Sequence, residues 1–149
     1  MTQTNPPPAR DPEPLRWQLT FDANDPHRLA DFWAAALQAE VEDNTALIAE
    51  LLAKGWVEES DTLVHDGRRS WINLVAVQGV GPRLLFQRVP EEKAVKNRLH
   101  LDLNVGSERL HEEVARLVAL GAVQGKEWKD PSGHWFVMYD PEGNEFCVQ

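Results

Sequence analysis

The stretch "LRWQLTF" alternates apolar with polar residues, with Trp17, Leu19 and Phe21 on one side of an extended chain and Gln18 and Thr20 on the other. That is the period of a half-buried strand. "DPHRLADFWAAALQA" then switches to helical spacing, with Leu29, Phe32, Trp33, Ala36 and Leu37 on one face. Asp25 supplies an N-cap, and Pro26 sits at the first helical position, where its missing N–H is not needed. "NTALIAELLAKG" predicts a shorter helix with Leu47, Ile48, Leu51 and Leu52 on one side and Gly55 as its stop. From Asp61 to Val89 the pattern predicts three short strands, punctuated at Asp66-Gly67 and at Gly79 to Pro82.

The second half opens with "NRLHLDLNV", where His100, Asp102 and Asn104 alternate against Leu99, Leu101, Leu103 and Val105. "SERLHEEVARLVALGA" predicts a helix capped by Ser107, burying Leu110, Val114, Leu117 and Val118 and ended by Gly121. The remaining chain predicts strands separated by turns at 130–133 and 140–143, and Gly143 supplies the residue that tolerates positive φ in the second turn.

Both halves therefore follow one order: strand, helix, then three strands. Gln18 sits where His100 sits, Trp71 matches Trp135, and "GPRLLFQ" aligns without a gap on "GNEFCVQ", which pairs Leu85 with Cys147. An internal repeat outweighs any single motif. The expected architecture is α+β: two βαβββ modules, 15–89 and 97–149, related by a pseudo-two-fold axis, with an extra helix at 45–54 inserted in the first. Residues 1–14 hold five of the ten prolines and almost nothing to bury, so they are expected to form a disordered tail.

Composition narrows the function. The net charge is −9, from 24 acidic and 15 basic residues, a surface that repels phosphate backbones and anionic lipid. Nucleic-acid and membrane roles are therefore not expected. No apolar run approaches the roughly 20 residues that span a bilayer, the first twenty residues lack a signal-peptide core, and the single cysteine allows no intrachain disulfide. A cytoplasmic protein is the expectation. Motifs of the GxGxxG, P-loop, paired CxxC, HExxH and GxSxG types do not occur in the chain. Arg88, Lys93, Lys96 and Arg98 cluster in the connector "RVPEEKAVKNR", read as a solvated linker or as a lure for an anionic ligand. His27, His65 and His111 have no spaced partner that suggests a site.

Two βαβββ units of this length, the second ending in "DPEGNEFCV", resemble the vicinal oxygen chelate superfamily, which contains glyoxalase I, bleomycin-resistance proteins and extradiol dioxygenases. "LLFQRVPEEKAVKNRLHLDL" resembles a glyoxalase-like branch common in actinobacterial proteins. The resemblance covers 15–149. It implies that each module curls its sheet into half a cup, with a small-molecule cavity between the halves. In members with metal chemistry, the first and last strands of each module each give one ligand, which here implies Gln18 and Leu85, then His100 and Cys147. Leu85 offers no donor, and Cys147 replaces the usual glutamate, with Glu145 two residues earlier on the same face. The expected cup therefore holds no metal cofactor, a divalent ion being the alternative.

His100 is read as a pocket-facing polar residue paired with Asp102 or a ligand, as a candidate general base, or as a satisfied polar group with no binding role. Cys147 reads as a small buried apolar residue, with a reactive thiol as the alternative. Trp71 and Trp135 are cavity walls or core. Gln18, Thr20, Trp71, Leu85, His100, Asp102, Trp135 and Cys147 are together expected to line one cavity of mixed polarity. The expected function is a glyoxalase-like protein that binds a small organic molecule, with a homodimer as candidate assembly. The alternatives are a metal-dependent lyase, isomerase or dioxygenase relative, a drug-sequestering resistance protein, or a partner-binding module hinted at by the helix at 45–54.

Overall fold

The structure, a computed structural model, describes residues 14–79 and 81–149. The expected tail at 1–14 lies outside the described residues except for Pro14. In the first half the chain forms β1 (Gln18–Ala23), α1 (Pro26–Leu37), β2 (Glu40–Val41), α2 (Thr45–Ala53), a 3-10 turn (Glu59–Asp61), β3 (Thr62–His65), β4 (Arg68–Trp71), β5 (Leu74–Gln78) and β6 (Arg83–Arg88). The second half forms β7 (Asp102–Leu103), α3 (Leu110–Ala119), β8 (Val123–Asp130), β9 (Gly133–Tyr139) and β10 (Glu145–Val148). No helix among the described residues is long and apolar enough to cross a membrane.

Two four-stranded sheets have the same order, β1-β6-β5-β2 and β7-β10-β9-β8. In each, the first strand runs parallel to the last, which runs antiparallel to the strand before it. Register pairs Thr20 with Leu85 in one sheet and Asp102 with Cys147 in the other, so Gln18 and His100 are equivalent, as the repeat predicts. Leu84 and Phe86 are buried on β6, as are Phe146 and Val148 on β10, while Leu85 and Cys147 turn to the other face, half-buried.

The first module departs from the expected strand count. Four strands replace the three expected between 61 and 89, because the chain breaks at Ile72-Asn73. β3 and β4 pair only with each other, closed by Asp66 and Gly67 with φ of 48° and 74°, the positive values a two-residue hairpin turn requires. The strand equivalent to β8 is β2, only two residues long and paired with β5. The insertion is thus α2, the 3-10 turn and a hairpin, not a helix alone. Trp71 lies in that hairpin, so its equivalence to Trp135 on β9 fails. Alternation marks a strand but does not name its neighbour.

α1 holds the two sheets together. Its N-cap is the one expected: the Asp25 carboxylate accepts the Arg28 N–H at 3.2 Å, with Pro26 in the first turn. Trp33 packs 5.1 Å from Phe146 of the second sheet and 6.0 Å from Phe21 of the first, ring centre to ring centre. Arg116 of α3 donates to the carbonyls of Ala35 and Ala36 at 3.1 and 2.8 Å, a cation placed at the C-terminal end of α1. The same guanidinium, with Arg109, pairs the buried Glu113.

The inserted hairpin docks on α1 through histidines. His27 Nε2 lies 3.0 Å from the Trp71 carbonyl, its ring sits tilted 5.1 Å from that of His65, and His65 Nε2 lies 2.6 Å from the Asp31 carboxylate. Burial pulls the His27 pKa below 6.5, against the Trp71 carbonyl, and the neighbouring His65 pulls the same way. The folded pKa lies below the unfolded one, so this group's contribution is present above about pH 6.5 and is lost as pH falls through the folded value. Thermal unfolding is expected to show a stability decline as pH falls below about 6.5 that His27→Gln flattens, since Gln keeps a donor but does not titrate. Equal slopes in both proteins would assign the decline to other groups.

Candidate functional site

The open face of the second sheet carries the expected polar cluster. Alternation along β9 buries Phe136 and Met138 on one side and turns Trp135, Val137 and Tyr139 to the face of Cys147, whose ladder partner is Val137. Trp128 of β8 stacks on Trp135 at 6.2 Å, the planes within 13°. His100 Nδ1 lies 2.8 Å from Asp102 Oδ1, and donor atoms of His100, Asp102 and Cys147 all lie within 4.8 Å of one another.

The chemistry of this trio follows from Asp102, which touches both of the others. Burial raises the Cys147 thiol pKa, the Asp102 carboxylate raises it further by charge and hydrogen bond, and Lys96 opposes weakly. A nucleophilic thiol needs a neighbouring cation or base that lowers its pKa. Here the neighbour is an anion, which pushes the thiol pKa upward and disfavours the thiolate.

The first sheet is engaged differently. Arg83 forks onto Glu42 at 2.6 and 2.7 Å and also donates to the Gln18 side-chain carbonyl at 2.8 Å. Hydrogen bonding to Arg83 holds the Glu42 carboxyl below its usual range, despite partial burial. Gln18 is thereby committed, with its amide nitrogen 3.5 Å from the Thr20 hydroxyl. Leu85 stands beside Thr20 and offers only carbon.

The connector 89–101 settles which residues meet. Lys93 Nζ lies 3.2 Å from a Glu145 oxygen, and the Asn97 N–H donates to the same carboxylate at 2.9 Å. Burial pushes Glu145 upward, but these donors outweigh it and leave the carboxyl below its usual range. Lys93 therefore belongs to an ion pair, within a connector whose other residues are mostly exposed. The strand expected over 97–105 shrinks to Asp102–Leu103 in the ladder, because Asn97 bonds a side chain instead of a strand neighbour.

Between β1 and this connector runs a groove of about 900 Å³, lined by Thr20, Asp22, Trp33, Lys93 and His100 among others. Of the eight residues expected in one cavity, Thr20 and His100 line this groove, and the other six do not. Asp102, Trp135 and Cys147 share the open face of the second sheet, Gln18 and Leu85 that of the first, and Trp71 lies in the hairpin. The single continuous cavity is divided because register fixes which side chains share a face, whereas the path of the connector decides which faces meet.

Sequence reasoning passed over three groups. Glu142 accepts from the Asn24 and Asp25 N–H groups at 2.9 and 2.7 Å, capping the start of α1 from the second module. Asp140 is buried beneath Trp33. His111 meets His134 and Glu127 across the face opposite the cup. The partners are far apart in sequence, and no motif spacing announces them.

The residues at the ligand positions do not fit a hard divalent ion. Such an ion needs oxygen donors converging from both modules, but Leu85 has none, Gln18 is held by Arg83, and Cys147 offers sulfur.

Comparison with known proteins places this geometry. The fosfomycin resistance protein FosX from Mesorhizobium loti superposes with a TM-score of 0.61 at 13% identity, over 89% of this chain and 88% of that one. FosX from Listeria monocytogenes, solved with Mn(II) and 1S,2S-dihydroxypropylphosphonic acid, gives 0.58 at 15% identity, over 89% and 86%. A lactoylglutathione lyase from Agrobacterium tumefaciens gives 0.54 at 15% identity, over 93% of each chain. At these identities the likeness is one of fold. Comparison with curated proteins gave no match. A family profile described as "Glyoxalase-like domain" matches residues 18–149, which spans both sheets. With the paired βαβββ sheets, that match makes this chain a member of the glyoxalase-like family of the vicinal oxygen chelate superfamily.

Proposed function

We propose that the protein binds a small organic molecule in the groove between β1 and the connector, without a metal, using His100 held by Asp102 as the polar anchor. The observation that carries this reading is the groove itself, which brings Thr20 of β1 and His100, just before β7, onto one concave surface backed by Trp33. Its volume lies within the usual range for small-molecule sites, roughly 300–1,000 Å³. The relative solved with a phosphonic acid makes small anionic organics the first compounds to screen by thermal shift. Small cations come next, because the chain carries a net charge of −9.

For a compound found this way, His100→Ala is expected to weaken binding about fivefold, the loss of roughly 1 kcal/mol for one neutral hydrogen bond. The unfolding midpoint should stay near the wild-type value, since His100 is exposed. Unchanged affinity would remove His100 as the anchor, and unfolding would make it structural. A homodimer belongs to the same proposal, because Leu15, Trp17, Val95 and Leu99 stand 66–88% exposed. Sedimentation of a monomer at all concentrations would exclude it.

A second reading rests on the convergence of His100, Asp102 and Cys147, whose donor types suit a softer ion such as zinc better than Mn(II). Stoichiometric metal in purified protein, lost in Cys147→Ser, would favour a metal-dependent relative over metal-free binding.

A further inference from the structure

The second module carries another cluster, on the face of its sheet opposite Cys147 and Trp135. His111 projects from the first turn of α3, Glu127 from β8 and His134 from β9. Glu127 is the ladder partner of Phe136, and His134 lies two residues before Phe136, so all three β-residues share the face that α3 covers. His134 Nε2 lies 2.7 Å from a Glu127 carboxylate oxygen. The His111 and His134 rings meet edge to face at 5.5 Å, and both pack on Phe136, at 5.4 and 5.6 Å. One donor atom from each of His111, Glu127 and His134 lies within 4.8 Å of the other two.

We propose that His111, Glu127 and His134 form a binding site for a borderline divalent cation, zinc(II) first. Two imidazoles and one carboxylate suit zinc, copper or nickel, whereas magnesium and calcium prefer oxygen alone. Three protein ligands leave the fourth tetrahedral position to water. Zinc–nitrogen bonds of about 2.0–2.1 Å put tetrahedral donors about 3.3 Å apart, so the His134–Glu127 pair, now at 2.7 Å, must open slightly while His111, within 4.8 Å of both, closes by at most about 1.5 Å. Side-chain rotation supplies that movement, because His111 and Glu127 are exposed. The three ligands come from three elements, so a bound ion ties α3 to the β8–β9 hairpin and leaves the cup untouched.

The test is zinc titration by calorimetry of the full chain carrying His100→Ala and Cys147→Ser, which removes two of the three donors at the cup. One ion per chain is expected, with affinity reduced at least about tenfold by adding His111→Ala or His134→Ala. No saturable uptake, or uptake indifferent to both substitutions, would overturn the site. In the wild-type chain, zinc should shift the imidazole NMR signals of His111 and His134. Shifts confined to His100 would place the ion at the cup and overturn the proposal without any variant having to fold.

Discussion

Trp33→Ala is expected to lower stability by about 3–5 kcal/mol, the usual loss for a buried Trp truncated to Ala. For a chain of this length that is roughly 6–20 °C in melting temperature. Trp33 is 1% exposed and touches Phe21, Phe32 and Phe146, so truncation opens a cavity where both sheets meet on α1. Neighbours from two sheets cannot collapse into that space without separating from each other, which places the expected loss toward the upper end of the range. Trp33→Phe keeps most of the volume and removes the indole N–H that reaches Asp140 at 3.1 Å, so it isolates that hydrogen bond at about 1–3 kcal/mol. Urea unfolding of both variants checks the pair. A loss under about 1 kcal/mol for Trp33→Ala would show that α1 is not what joins the modules.

Asp140→Ala is expected to cost about 3 kcal/mol. The carboxylate is 2% exposed and accepts from the N–H groups of Glu142 and Asn144, each at 2.9 Å, from the Asn144 side chain, and from Trp33. Removing it leaves three kinds of donor without a partner, each worth about 1–3 kcal/mol where water cannot reach. Loosening of the turn, which also carries Glu142 and its cap on α1, recovers part of the loss. Burial raises the Asp140 pKa above 3.8, even though Asn144, Trp33 and Glu142 all pull it down. A raised folded pKa means that this carboxyl's stabilisation is fully present below its unfolded pKa and declines as pH rises through the folded value. The penalty of Asp140→Ala is therefore larger at pH 4 than at pH 7. Paired urea titrations at the two pH values measure this, and the reverse order would contradict the buried, reluctantly ionised Asp140.

The repeat was legible because burial alternates faithfully where a strand covers a helix: Leu19 and Phe21 on β1, Leu84 and Phe86 on β6, Phe146 and Val148 on β10. Capping at Asp25-Pro26 and the turn at Gly143 were equally readable, because each rests on one residue's conformational preference. The hairpin β3–β4 was not separable from the main sheet, since a strand presents the same alternation whichever neighbour it pairs with. That ambiguity set Trp71 opposite Trp135. The clustering of His100, Asp102 and Cys147 was legible, because register pairs Asp102 with Cys147 and alternation puts His100 beside Asp102. The contacts of Lys93 with Glu145, Trp33 with Asp140, and His111 with His134 were not, because they depend on how a connector crosses and how a helix packs.

Amide chemical-shift mapping of the full chain, titrated with a compound selected by thermal shift, tests the proposed binding site most directly. The expected result is a contiguous set of saturable shifts at Thr20, Asp22, Lys93 and His100, weakened about fivefold in affinity by His100→Ala. Saturable shifts that leave these residues unmoved would contradict binding in the groove between β1 and the connector.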